Sequence, residues 1–281
     1  MCSKIWQTPS AIHGAARYRR GLVRLMSRVD AGLATLKRLG YQSGQRLLPP
    51  VCVICQQSCH SVLCQDCQQQ WPVVQQPCLT CGLPVTGADA KAVCGQCLKQ
   101  APHCHRIISA YAYQDRLAWL LKQYKFQRNL AAGKALVEQF QAQLVSMFDQ
   151  SALANISAGQ PVTVMPVPLH WRRLAQRGFN QSHELAHAVQ RFLQQRGFSV
   201  DLQRLERHKA NLSQARSNAT QRRRNVSNNF RINAVNLSQR YVIIVDDVVT
   251  TGSTVNAIAR LCQKQKPYWI ETWTLARAVS N

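Results

Sequence analysis

Eight of the twelve cysteines stand as four Cys-x-x-Cys pairs: Cys52/Cys55, Cys64/Cys67, Cys78/Cys81 and Cys94/Cys97. Two residues between cysteines let both thiolates of a tight turn face one ion. Zinc takes four such sulfurs in a tetrahedron, so two pairs close one site and four pairs close two. Spacing allows a sequential pairing, with Cys52, Cys55, Cys64 and Cys67 on one zinc and Cys78, Cys81, Cys94 and Cys97 on the other. It also allows a crossed pairing that joins the first pair to the third. A closed four-sulfur site keeps no open position for a substrate, so the expected role is structural. An iron–sulfur cluster is the alternative these donors allow. Cys59, His60, His103, Cys104 and His105 stand near the pairs and are either ligands of a variant site or bystanders, and Cys2 and Cys262 are read as bystanders.

The second chemical group runs from Val242 to Thr254. An apolar run leads into two adjacent carboxylates, Asp246 and Asp247, and then into Thr250, Thr251, Gly252, Ser253 and Thr254. The run predicts a buried strand over Tyr241 to Val245, and the residues after the turn predict a helix from Ser253 to Lys264. In an open parallel sheet, ligands bind at the carboxyl ends of strands. Gly252 lets the backbone approach an anion, and free amides at a new helix favour phosphate there. Paired acids ahead of such a cradle suit sugar hydroxyls, held directly or through Mg²⁺. A plain helix cap needs no such order of two acids, two threonines and a glycine. A second strand–loop–helix, Val162 to Val167 followed by Gln181 to Arg196, carries Arg172, Arg173 and Arg177 in its loop. Arginine suits multidentate contact with phosphate.

These groups need elements to hold them, and the chain divides accordingly. Residues 1–46 hold nine Lys and Arg against one acid, Asp30, with apolar residues at helical spacing. They are expected to be a basic amphipathic helix or a disordered extension. Residues 47–105 carry all four cysteine pairs and lack helical periodicity. Residues 106–281 alternate strand-like and helix-like stretches, with a closing strand over Tyr268 to Leu275, which predicts an α/β sheet. The composition is 46% hydrophobic and 17% charged, and the formal net charge is +23. That excludes wholesale disorder and favours a polyanionic partner. No apolar run approaches the ~18 residues that span a bilayer, and no secretory cleavage pattern is present. Paired thiols without an export signal point to a reducing cytoplasm.

The Val242–Thr254 string resembles the phosphoribosyl-pyrophosphate motif of type I phosphoribosyltransferases. The wider order resembles the ComF/GntX family: cysteine pairs, Tyr111-x-Tyr113, Leu120-Leu121-Lys122-x-x-Lys125-Phe126, Arg177-Gly178-Phe179-Asn180-Gln181, then the acid motif. The series Gln214, Arg222, Asn225 and Phe230 fits too, although Ser217-Asn218 stand where a Leu-Ser pair is usual. The resemblance implies a small double zinc ribbon followed by a type I phosphoribosyltransferase-like parallel sheet with flanking helices. It implies ribose hydroxyls on Asp246 and Asp247, a 5-phosphate wrapped by Thr250, Thr251, Gly252, Ser253 and Thr254, and pyrophosphate on Arg173 and Arg177. The basic stretch from Leu205 to Phe230 stands where such enzymes carry a mobile flap, and is expected to be that flap or a solvated surface loop.

The same resemblance implies a role in uptake or use of external DNA, with single-stranded DNA as partner and a DNA-uptake helicase or recombination proteins beside it. Arg222, Arg223 and Arg224 are the nucleic-acid candidates. Trp71, Trp119, Trp171 and Tyr124 are stacking surfaces or core residues. Two functions remain: a DNA-handling protein that binds phosphoribosyl pyrophosphate, or an active phosphoribosyltransferase acting on a nitrogen base. The second needs a base-binding hood, expected near Tyr111 to Phe126 and Val200 to Leu205. A zinc scaffold with a relict sugar site is disfavoured by the intact acid pair.

Overall fold

Runs of β-branched and aromatic residues set the centre of the molecule. In the computed structural model, which describes residues 51–85, 93–207, 230–232 and 236–279, five strands form one all-parallel sheet. Two short helices, α1 (Gln65–Gln69) and α2 (Gly95–Lys99), lie in the cysteine module. Then follow β1 (Arg106–Ala112), α3 (Asp115–Gln127), α4 (Leu130–Gln150), β2 (Pro161–Pro166), α5 (Trp171–Arg177), α6 (Gln181–Gln194) and β3 (Ser199–Leu202). A small antiparallel pair joins β4 (Leu205–Arg207) to β5 (Phe230–Ile232). The chain closes with β6 (Tyr241–Val249), α7 (Ser253–Gln263) and β7 (Trp269–Arg277). The basic extension, the interior of the expected flap, and Arg222, Arg223 and Arg224 lie outside the described residues. Among the described residues, no helix is long and apolar enough to cross a membrane.

The sheet order is β1-β7-β6-β2-β3. β6 is covered on both faces, which explains its unbroken apolar run. Tyr241, Ile243 and Val245 pack into one core with Leu185 and Val189 of α6 and Phe140 of α4. Val242 and Ile244 pack into another with Val255, Ile258 and Cys262 of α7. From β2 the chain steps outward through α6 to β3; from β6 it steps the other way through α7 to β7. The strand order therefore reverses between β2 and β6, where parallel sheets open a crevice.

Two sequence expectations need correction. β6 does not stop at Val245. β2 ends with Pro166 opposite Val245, but β7 goes on supplying partners, with Asp246 opposite Thr274, Val248 opposite Ala276 and Val249 opposite Arg277. Both acids thus lie within the strand, beyond the end of its neighbour. The arginine loop is also largely a helix, α5. His170 caps it by accepting from the Arg172 N–H, and Gly178, in the left-handed region, ends it.

The cysteine module lies along the outer edge of β1. Ile107 N–H donates to the Thr80 carbonyl at 2.8 Å, and Ala112 N–H donates to the Pro72 carbonyl at 2.8 Å. The Trp71 and Tyr111 rings meet with centroids 5.0 Å apart. Gly82 is needed at this seam: its φ is +68°, and a Cβ there would lie 2.9 Å from the Ile107 carbonyl oxygen. An open edge strand is a template for stray pairing, and here it is covered. At the opposite end of the strands, Glu271 is fully buried. It accepts from Ser151 Oγ at 2.6 Å, Ala152 N–H at 3.1 Å, and the indole N–H groups of Trp269 and Trp273 at 3.0 and 3.2 Å. Four donors offset the desolvation that an unpartnered buried carboxylate would suffer.

Candidate functional site

The four cysteine pairs gather sequentially. Cys52, Cys55, Cys64 and Cys67 form one cluster and Cys78, Cys81, Cys94 and Cys97 the other, each with all sulfurs within 4.8 Å of one another. The Sγ atoms of Cys55 and Cys64 are 3.6 Å apart, and those of Cys81 and Cys94 are 3.7 Å apart. A tetrahedron with zinc–sulfur bonds of ~2.3 Å sets its sulfurs about 3.8 Å apart, so both donor sets fit zinc. Burial alone would push the Cys52 thiol up. The amides of Cys55, Cys64 and Ile54 outweigh it and bring Cys52 down to about 6. Cys78 falls to about 7 in the same way, burial being overcome by the amides of Cys81, Cys94 and Thr80. Each cluster therefore contains one sulfur readily present as thiolate, the ligand form. Cys104 and Cys262 are buried in the apolar core, apart from both clusters.

At the crevice, Asp246 is 9% exposed and lies beneath α6. Its Oδ1 accepts from Ser182 Oγ at 3.1 Å and from the Asp247 N–H at 2.9 Å. Burial, and then the neighbouring Asp247 charge, raise the Asp246 carboxyl from its ordinary 3.8 to about 7, against the opposing pull of Lys125. Asp247 is more accessible and meets Lys125 Nζ of α3 at 2.6 Å. Lys125 and Ser182 had no assigned role in the sequence reading. The Lys122-x-x-Lys125-Phe126 pattern signals the lysine, but its carboxylate partner lies far along the chain.

Thr250 to Gly252 form the turn between β6 and α7, and Ser253 and Thr254 open the helix. Thr250, Thr251 and Ser253 are exposed, so no protein segment among the described residues fills the turn. Gly252 occupies the N-cap with φ +74° and has no side chain to cap the helix. Thr251 Oγ1 lies 2.9 Å from Ser253 Oγ and accepts weakly, at 3.4 Å, from the Ser253 N–H. The helix start therefore offers amides and hydroxyls to an outside acceptor.

Arg173 and Arg177 stand on α5 beside the crevice. Arg173 is exposed; Arg177 is partly buried, with its guanidinium 5.4 Å from the Phe126 ring centroid. Burial lowers the Arg177 pKa, and Asp247 acts in the opposite direction. Arg207 of β4, a cation of the basic stretch from Leu205 to Phe230 that the sequence offers as a flap, feels the charges of both Arg173 and Asp246. Of the stacking candidates, Trp71 and Tyr124 are buried, whereas Trp119 and Trp171 are exposed. The hood expectation also needs amending. Tyr111 is buried in β1, and Val200 and Leu205 are buried, whereas Phe126 is 73% exposed.

Comparison with known proteins followed the same two-part division. Residues 44–98 match the family model described as "Double zinc ribbon domain", and residues 182–280 match "Phosphoribosyl transferase domain". The chain is 32% identical over 235 residues to "DNA utilization protein YhgH" of Escherichia coli strain K12, covering 83% of this chain and 99% of that one. It is 32% identical over 234 residues to "Competence protein F" of Haemophilus influenzae, covering 81% and 96%. With "Competence protein ComFC" of Bacillus subtilis the identity is 25% over 226 residues, covering 77% and 84%.

The acid pair has a testable signature. The Asp246 carboxyl, raised to about 7, keeps its proton in the folded chain over a range where the unfolded chain loses it. Its contribution to stability is therefore full below about pH 3.8 and declines as pH rises towards 7. Asp247→Asn removes the second-largest cause, so the Asp246 midpoint should fall yet stay above 3.8. Carboxyl ¹³C titration by NMR reads this directly, and an unmoved midpoint would mean that Asp247 does not act on Asp246.

Proposed function

Because the chain belongs to the family of DNA utilization protein YhgH and competence protein F, we propose that it is a DNA-utilisation protein whose sheet domain binds 5-phosphoribosyl-1-pyrophosphate and which contacts single-stranded DNA. One observation carries the reading: two carboxylates project past the end of β2, beside an exposed, hydroxyl-lined turn whose helix start has no side-chain cap. The 5-phosphate sits at Thr250, Thr251, Gly252, Ser253 and Thr254. The ribose hydroxyls face Asp246 and Asp247, with Asp247 the more accessible. Arg173 and Arg177 take the pyrophosphate, and Arg207 adds positive charge. Mg²⁺, held between the acids and the ligand, would supply further charge neutralisation. Since a cation or hydroxyl ligand prefers ionised Asp246, binding strengthens as pH rises through 7.

The net charge of +23 supports a polyanionic partner. The α5 rim supports a single strand in particular. Trp171 is 62% exposed with the Arg172 guanidinium 5.3 Å from its centroid, and exposed Phe126 is paired with Arg177. Aromatic–arginine pairs of this kind stack unpaired bases. Arg222, Arg223 and Arg224 are further proposed DNA contacts, and a DNA-uptake helicase or recombination proteins are the proposed protein partners. Thiolate metal sites suit a cytoplasmic setting.

A phosphoribosyltransferase reaction is the second reading, favoured by the complete set of acids and arginines around one crevice. In that reaction a nitrogen base attacks the anomeric carbon as pyrophosphate departs, and the arginines stabilise the leaving charge.

Asp246→Asn with Asp247→Asn should abolish phosphoribosyl-pyrophosphate binding in calorimetry while leaving two zinc ions per chain; unchanged affinity would refute the site. Incubation of the wild-type chain with phosphoribosyl pyrophosphate, Mg²⁺ and a panel of bases should release pyrophosphate only if the transferase reading holds. Charge reversal at Arg222, Arg223 and Arg224 should weaken single-stranded DNA binding and flatten its salt dependence. The same affinity at several salt concentrations would remove those residues from the DNA surface.

A further inference from the structure

Arg277, near the end of β7, bridges the second cysteine cluster and the phosphate turn. Its side chain is nearly inaccessible, at 3% exposed. Nε donates to the carbonyl of Cys81 at 2.8 Å. Nη1 donates to the carbonyl of Val249 at 2.9 Å, to the carbonyl of Thr250, and to that of Ala278 at 3.2 Å. Cys81 belongs to the metal cluster, whereas Val249 ends β6 and Thr250 begins the turn. One guanidinium thus holds the backbone of both.

The consequence follows from peptide geometry. A trans peptide is planar, with its carbonyl and N–H on opposite sides. Holding the carbonyls of Val249 and Thr250 towards Arg277 turns the N–H groups of Thr250 and Thr251 away from it, which leaves them free of this anchor to meet a ligand. Arginine suits the task because its fork of donors is rigid and stays charged. Burying that charge is unfavourable unless it is matched. Four thiolates around Zn²⁺ would carry two net negative charges, and Cys81 and Cys97 already favour the charged guanidinium against the effect of burial.

We propose that Arg277 is a positioning residue that makes the grip of the phosphate turn on a ribose 5-phosphate group depend on metal in the Cys78, Cys81, Cys94 and Cys97 cluster. The proposal rests on the phosphoribosyl reading of the turn. It makes the second ribbon part of the ligand site without touching the ligand. Linkage is reciprocal, so a ligand that tightens the turn must also tighten the metal site.

The test uses the full zinc-loaded chain and ribose 5-phosphate, which lacks the pyrophosphate that would itself chelate zinc. Zinc affinity is measured by equilibrium competition with a chelating dye, with and without the sugar phosphate. The expected result is that one of the two zinc affinities rises about tenfold in the wild type, within the usual range of coupling. Arg277→Lys should still hold two zinc ions, bind ribose 5-phosphate about tenfold more weakly, and show no rise. A side chain that only stabilised the fold would leave this linkage intact. Wild-type protein that binds ribose 5-phosphate but holds both ions with unchanged affinity would overturn the coupling while sparing the sugar site. Wild-type protein that binds no ribose 5-phosphate would remove both. The wild-type comparison stands even if Arg277→Lys fails to fold.

Discussion

The continuation of β6 along β7 past the last residue of β2 is the constraint on which the site depends. Within a complete sheet, Asp246 and Asp247 would be flanked on both sides and shut away. Here one flank remains paired, which keeps the backbone rigid, and the other opens into the crevice. The hydroxyl turn follows directly after the strand ends, so the acids and the proposed phosphate cradle lie on one short stretch of chain. Rigidity and access, which usually compete, are divided between the two edges of that strand.

The electrostatics of the crevice follow from this placement. Adjacent carboxylates at a sheet end repel, and Asp246 also loses solvent beneath Ser182. Lys125 relieves part of the strain by pairing with Asp247, and the pair is shielded enough to count for more than a surface ion pair. Lys125, Arg173, Arg177 and Arg207 approach from α3, α5 and β4. These cations surround the acid pair and would suit the proposed ligand, which is anionic at two ends and polar in the middle.

The chemistry was legible in the sequence wherever it lay in a short string. Cys-x-x-Cys spacing announces itself, as do Asp246-Asp247 and the Thr250 to Thr254 turn, because consecutive residues share a backbone conformation. The parallel sheet was legible through the apolar run of β6. Contacts made across the chain were not. Ser182 meets Asp246, Lys125 meets Asp247, and Arg277 meets Cys81, each through topology rather than spacing. Glu271 reads locally as a charge in a strand, and only folding brings Ser151 and two indoles onto it. The sequence presents the α5 residues as an arginine-bearing loop between a strand and a helix. Their helix depends on the His170 cap and on Gly178, punctuation that a charge-centred reading passes over.

The place of β7 between β1 and β6 governs the order in which the molecule can assemble. β1 and the ribbons leave the ribosome early, yet β1 has no strand partner in the sheet except β7, the last of the five to be made. Until then the early piece and the β2–β3–β6 piece share no sheet and meet through helix packing, with α4 against both β1 and α6. Insertion of this final strand completes the sheet, and in the same event brings Arg277 to the ribbon and to the turn. A ribosome stalled before β7 would therefore present both halves without a joined site, an intermediate with two unsatisfied sheet edges and an evident need for protection from aggregation.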